Sequence, residues 1–358
     1  MRILSMKSYT RKSNFELLRI IAMCIIIMIH FWAAADLTAF GLQGKVGNIL
    51  GGVVVGIGNI GPGCFCLISG YFGIKFSKQK LIKMELMMIS YSLLETLLLY
   101  VFFPQEMCGA VLFEQLIKSI IPFTSRKYWF YSCYICLFIL SGYIQKFIDS
   151  LKEKELLTFL VISLTIFSIL PTIFYFEIMQ DAGKGLVQMI LLYMVGRYIH
   201  MYKDISLSKW KCFLTLILLW CINTISIMHP IKFGEVTHSL CRDNSITNIA
   251  IMILLFYLFK NINFSSKFIN RFTSNIFAVF ALENACTHIL GKILADFGLH
   301  VSSSAAAFLL VILMVFGIFL VISIIGFIRE FLFSRVDQLI TNWILKLTNK
   351  LQKFIPYL

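Results

Sequence analysis

Two residues interrupt an otherwise apolar stretch near the start of the chain. Residues 11–31 read RKSNFELLRIIAMCIIIMIHF and carry Arg19 and His30 eleven positions apart. On an α-helix that spacing is ~1100° of rotation, so both side chains share one face, separated by ~16 Å along the axis. Glu16 lies three residues before Arg19 on the same face, within reach of an ion pair. A neutral imidazole can take the proton of an attacking hydroxyl near neutral pH. An arginine can grip the phosphate oxygens of a soluble donor. The non-chemical alternative is a snorkelling Arg19 and a His30 that makes one buried hydrogen bond. Ionisable groups inside a bilayer are costly and tend to face cavities, so the chemical reading comes first.

The elements that must position these groups follow from composition. The chain has 358 residues, 59% hydrophobic, with 34 Phe and only 14% charged residues. That is too little charge to cover a soluble protein of this length, so the class is integral membrane. Apolar runs of about 20 residues, enough to cross a ~30 Å hydrocarbon core, recur throughout. They fall near 17–35, 49–73, 84–103, 129–148, 156–176, 184–201, 211–228, 246–259, 272–294 and 304–328. The expectation is an all-α, polytopic transmembrane helical bundle of about ten spans. A β-barrel is excluded, because its strands alternate and do not run continuously apolar.

The formal net charge is +14. With the N-terminus inside, 24 of the 32 lysines and arginines fall on the cytoplasmic side of the ten-span order. They include Arg2, Lys7, Arg11 and Lys12 at the start and Lys203, Arg271 and Arg335 later. The positive-inside rule therefore accounts for the charge, with both termini cytoplasmic and no nucleic-acid partner. The run that ends in Ala33-Ala34-Ala35 also resembles a cleaved signal peptide. Glu16 and Arg19 intrude on that pattern, and the charge bias needs the span retained.

The 10 cysteines show no metal-ligand spacing. Cys108 and Cys241, both in outer connections, are the one pair placed for a disulfide. No internal repeat is visible. Gly51, Gly52, Gly56, Gly58, Gly61 and Gly63 make 49–73 a close-packing span, which Pro62 should break or kink. Arg126-Lys127-Tyr128-Trp129, closing the outer segment 104–128, reads as an interfacial anchor. Residues 1–328 form the membrane-embedded domain. Residues 329–358 read as a cytoplasmic amphipathic tail on the anionic inner leaflet, with Leu332, Val336, Leu339, Trp343, Leu347 and Leu351 among its apolar positions.

Three segments carry a resemblance. Ser13-Asn14-Phe15-Glu16-Leu17-Leu18-Arg19, followed by His30, resembles the first helix of the integral-membrane acyltransferase-three superfamily, with its basic residue, ten intervening positions and histidine. Ser69-Gly70-Tyr71 is similar to the Ser-Gly-Tyr segment closing that family's second helix. Trp129-Phe130, followed by Tyr134-Ile135, is similar to its Trp-Phe…Tyr-Ile segment. The three fall in the family's order. Lys80 and Lys83 stand where the family usually carries two arginines. Glu283 stands where a late helix often carries histidine.

The resemblance implies transfer of an acyl group, most often acetyl from acetyl-CoA, to a carbohydrate hydroxyl of the cell envelope. It implies a multi-pass protein of the inner (plasma) membrane, with membrane lipid as its surroundings and no permanently bound cofactor. His30 would be the general base or a transient acyl carrier. Arg19, with Lys80 and Lys83, would hold the CoA phosphates. Glu16, Glu95, Trp129, Glu283 and His288 are possible supporting residues. Glu95, mid-span in 84–103, is a candidate partner of His30. His288 could pair with Asn284, and packing is its simpler role. His200, His229, His238 and His300 fall at span ends or in loops. A transporter or flippase for a lipid-linked glycan fits the same helix count and intramembrane charges.

Overall fold

The computed structural model describes residues 13–34, 42, 44–175, 177–203, 207–233, 236–298, 301 and 303–354. Arg2, Lys7, Arg11, Lys12, Ala35 and His300 lie outside them, as do the side chains of His238 and Leu351. The first span is α1 (Ser13–Ala34). The glycine-rich span divides into α2 (Gly44–Gly58) and α3 (Gly61–Phe72), and the break at 59–60 falls where Pro62 predicts it. Then come α4 (Lys78–Phe102), α5 (Gly109–Ile120) and α6 (Trp129–Asp149). The fifth span joins α7 (Glu153–Leu164), a π turn at Thr165–Ile169 and α8 (Leu170–Phe174). Pro171 cannot donate to its own helix, and Asn244 Nδ2 donates to the nearby Phe167 carbonyl at 3.4 Å.

The second half holds α9 (Leu186–Tyr202), α10 (Lys209–Met228), α11 (Ile246–Lys260) and α12 (Lys267–Thr273). It closes with α13 (Ile276–Asp296) and α14 (Ser304–Phe354). A two-stranded antiparallel hairpin, β1 (Ile231–Phe233) and β2 (Val236–His238), is the sole sheet among the described residues. The molecule is thus a helical membrane bundle, and among the described residues 8 helices are long and apolar enough to cross a bilayer. The expected spans at 184–201 and 246–259 appear as the shorter α9 and α11. At ~1.5 Å per residue, neither 17 nor 15 residues reaches across ~30 Å of hydrocarbon.

Hydrogen bonds gather alternate helix ends at the same level. Ser13 Oγ donates to Asn270 Oδ1 at 2.9 Å, and Asn14 Nδ2 to the Phe259 carbonyl at 2.9 Å. Tyr257 OH reaches the Lys203 carbonyl at 2.9 Å, and Arg271 pairs with Glu330 at 3.4 Å. At the opposite end Arg242 pairs with Glu177. The helix ends thus alternate between two levels, with α9 and α11 as shorter members of the series. The segment after residue 328 continues as helix from the last span without a break. Glycine sets the closest helix contact: a Cβ at Gly70 would collide with the Tyr193 carbonyl, and one at Gly196 with the Leu67 carbonyl. Small residues let α3 and α9 approach this closely.

Cys108 and Cys241, the one pair the sequence placed for a disulfide, are separate free thiols, one exposed and one buried. Lys127 does not serve as an interfacial anchor. It is buried against Glu95 at 3.0 Å and donates to Thr96 and Ser119. The alternation of ends, combined with the charge bias, predicts a sidedness. Reporter fusions at Leu358 and within 229–245 should report cytoplasm and exterior respectively; a cytoplasmic 229–245 would overturn the span order.

Candidate active site

The residues that opened the sequence argument line one cavity. Arg19 and His30 both face a space of about 440 Å³ enclosed by α1, α3, α6 and α13, with the outer connections above it. Helical periodicity explains the shared face. Positions between them that do not line the cavity, such as Ala22 and Ile27, are buried in the packed core. At one end Glu16 Oε1 holds Arg19 at 2.6 Å, the expected ion pair. That contact uses one nitrogen of the guanidinium fork, and the other donors remain for a ligand. Thr273 and Ser274 line the same end.

At the other end His30 Nδ1 meets Glu283 Oε1 at 2.7 Å. The two side chains differ sharply in exposure: 45% for His30 against 4% for Glu283. The carboxylate therefore sits behind the imidazole, and the ring edge faces the cavity. With Nδ1–H donating to the carboxylate, the lone pair lies on Nε2 (a tautomer inferred from the bond), which has no protein partner among the described residues. This is the arrangement of a general base and its orienting carboxylate.

Two helices running in the same direction create that pair. Thr273 Oγ1 donates to the Glu16 carbonyl at 3.4 Å, so the start of α13 is level with the start of α1. Ten residues on, Glu283 then meets His30. Between the two polar ends the wall is aromatic, from Trp129, Phe130, Phe277 and Phe280. Phe130 and Phe280 pack edge to face at 5.6 Å. Ser69 and Tyr134, 3.3 Å apart, add a hydrogen-bonding pair midway. Such a lining, mostly apolar with a few convergent polar groups, suits a small-molecule site.

The other expected residues fare differently. Trp129 lines the cavity. Glu95 does not partner His30: it takes Lys127 at 3.0 Å and the Tyr128 hydroxyl at 2.5 Å, holding the outer segment onto α4. Glu283 occupies the role assigned to Glu95, because α13 and not α4 lies beside that face of α1. Lys80 and Lys83 are not among the cavity-lining residues, although the next residue, Met84, is. His288 and Asn284 are exposed on the far face of α13, so His288 neither enters the cavity nor serves as a packing residue. His200 and His229 are exposed, as expected. Lys184, Asp243 and Asn59 line the cavity and went unnoticed in the sequence. They sit in connections or at a helix break, where no periodicity marks a face. Among the described residues no group of His, Cys, Asp and Glu could hold a metal.

A buried carboxylate that orients a base has a measurable signature. Glu283→Gln keeps the size and one hydrogen bond but cannot balance an imidazolium, so turnover should fall on the order of 10²-fold, within the span of general-base effects. Protein level in membranes should stay near wild type. Unchanged turnover in Glu283→Gln would make the contact structural only.

Comparison with known proteins places this geometry in context. No curated protein and no solved structure matches the chain. A family model described as an acyltransferase domain matches residues 12–326, which contain every cavity-lining residue. The family match selects enzyme over transporter and accords with the base-and-carboxylate pair. The chain belongs to the acyltransferase-three family of membrane acyltransferases.

Proposed function

We propose that the protein moves an acyl group, most simply acetyl from acetyl-CoA, to a hydroxyl of an envelope carbohydrate in the inner membrane. The observation that carries this reading is one cavity lined by Arg19 at one end and by the His30–Glu283 pair at the other. Arg19 would hold the phosphates at the cytoplasmic mouth. The pantetheine arm, long and thin, would run past the aromatic wall and bring the thioester to His30. Separation of ~16 Å along α1 makes such an arm necessary, since no small donor touches both residues.

The step balances as follows. His30 Nε2 takes the acceptor hydroxyl proton as the oxygen bonds to the thioester carbonyl carbon. The carbon–sulfur bond then breaks, and the leaving thiolate takes the proton back from the imidazolium. Glu283 offsets the positive charge that His30 carries between those events. Direct transfer of this kind needs both substrates at Nε2 together.

Two substitutions test the halves separately. Arg19→Ala should weaken acetyl-CoA binding by roughly 1.5–3 kcal/mol, the range for hydrogen bonds to charged groups. Arg19→Lys should recover part of the loss, because charge remains without the fork. His30→Gln should lower acyl transfer by ~10²–10⁴-fold while acetyl-CoA still binds. Acylated glycan measured by mass, beside protein level, reads the second outcome. Near-normal acylation in His30→Gln, or unchanged donor affinity in Arg19→Ala, contradicts the proposal.

A further inference from the structure

Attack on a thioester places a negative charge on its carbonyl oxygen, and the base-and-carboxylate pair does not hold that charge. His30 carries the proton taken from the hydroxyl, and Glu283 is itself an anion. In a mostly apolar cavity a bare oxyanion is costly, so a donor aimed at the carbonyl oxygen is needed at this end.

Contacts between neighbouring elements show what stands beside His30. A Cβ at Gly58 would collide with Ile29, so the break between α2 and α3 lies level with His30. From that break Asn59 donates to the Cys241 carbonyl at 2.5 Å, which brings in the connection between α10 and α11. Gly183, at φ +83°, packs so tightly on Asn244 that a Cβ there would collide, which brings in the connection between α8 and α9. Lys184 follows Gly183 and lines the cavity with His30 and Glu283. Its backbone is fixed. The Lys184 amide donates to the Asp181 carbonyl and the Gly183 amide to Asp181 Oδ1, each at 2.8 Å. The Ala182 amide donates to Glu177 at 2.8 Å, and Arg242 holds Glu177 in turn.

The donors at this end are not equivalent. Asn59 is committed to the Cys241 carbonyl. Trp129 offers an indole N–H, which is neutral. Lys184 is exposed, and its ammonium has no ion pair or hydrogen bond among the described residues. Asp243, by contrast, is 5% exposed and stays behind the lining. A charge-assisted hydrogen bond is roughly twice as strong as a neutral one, which selects the lysine. We propose that Lys184 is a catalytic residue whose ammonium donates to the thioester carbonyl oxygen and stabilises the oxyanion formed beside His30. The assignment rests on the acyl-transfer reading of the cavity.

The step keeps its balance. The acceptor oxygen bonds to the carbonyl carbon as its proton passes to His30 Nε2. The carbonyl π pair moves onto oxygen, against the Lys184 ammonium. When that pair returns, the carbon–sulfur bond breaks and the thiolate takes the proton from the imidazolium. Lys184 keeps its own protons throughout.

The test uses the full chain in lipid nanodiscs and two donor analogues that cannot transfer, acetonyl-CoA and trifluoroacetonyl-CoA. The plain ketone stays planar and neutral, whereas the fluorinated one hydrates to a tetrahedral, readily ionised diol. Wild type should bind the fluorinated analogue on the order of 10²-fold tighter, as transition-state analogues do. Lys184→Met should erase most of that preference and leave acetonyl-CoA affinity within about twofold, because only the charged oxygen needs the ammonium. Lys184→Arg should keep part of it, since the charge remains. Release of CoA from acetyl-CoA, in membranes carrying the native glycan, should fall on the order of 10²-fold in Lys184→Met, the loss for one oxyanion donor. A preference that survives Lys184→Met, or that Trp129→Phe removes instead, overturns the role of Lys184 and leaves the donor reading standing. Equal binding of the two analogues by wild type overturns it as well. A wild type that binds neither analogue sinks the donor reading, and this assignment with it.

Discussion

A carboxyl group buried within a membrane bundle must find a partner, because the low-dielectric interior penalises an isolated charge far more than water does. Glu283 finds His30, at 2.7 Å. The organisation around the pair follows from that requirement. α1 and α13 must run in the same direction and in register, which the Thr273–Glu16 contact at their common starting level secures. The imidazole, anchored from behind, can present only one nitrogen forward. A group needed for packing would be covered on all sides; this one is left open to the cavity.

The same low dielectric gives the pair its chemical use. An imidazolium formed beside a fixed carboxylate is stabilised without any reorganisation of solvent. The aromatic side chains of Trp129, Phe130 and Phe280 give the space between the ends a mostly apolar wall. Arg19, held by Glu16, marks the far end at a distance that only an extended donor spans. In the proposed reaction the cavity would separate recognition of a charged, water-soluble donor at Arg19 from the bond exchange at His30. Lys127, Glu95 and Tyr128 stabilise the segment after α5 against α4 and contribute to this enclosure from outside the cavity.

Much of this was legible from residue type and spacing. Arg19 and His30 stood out because each is expensive in an apolar run, and helical periodicity alone put them on one face. Pro62 between glycines marked the helix break. The helices were readable from continuous hydropathy, although α9 and α11 are too short to span alone, which the length of 246–259 already indicated for α11. The partner of His30 was not readable, since choosing between Glu95 and Glu283 depends on which helix packs beside α1. Lys80 and Lys83 matched a family position without reaching the cavity. Lys184 and Asp243 lie in irregular segments, where sequence order carries no information about facing. Only tertiary contacts such as Arg242 with Glu177 bring them together.

The most direct measurement is an electron cryomicroscopy structure of the full chain in a nanodisc with a non-hydrolysable acetyl-CoA analogue. The account predicts phosphate density against Arg19, the arm along Trp129 and Phe130, and the carbonyl analogue within hydrogen-bonding distance of His30 Nε2. An analogue seated outside this cavity, or entering it with its phosphates at the Lys184 end, would contradict the account.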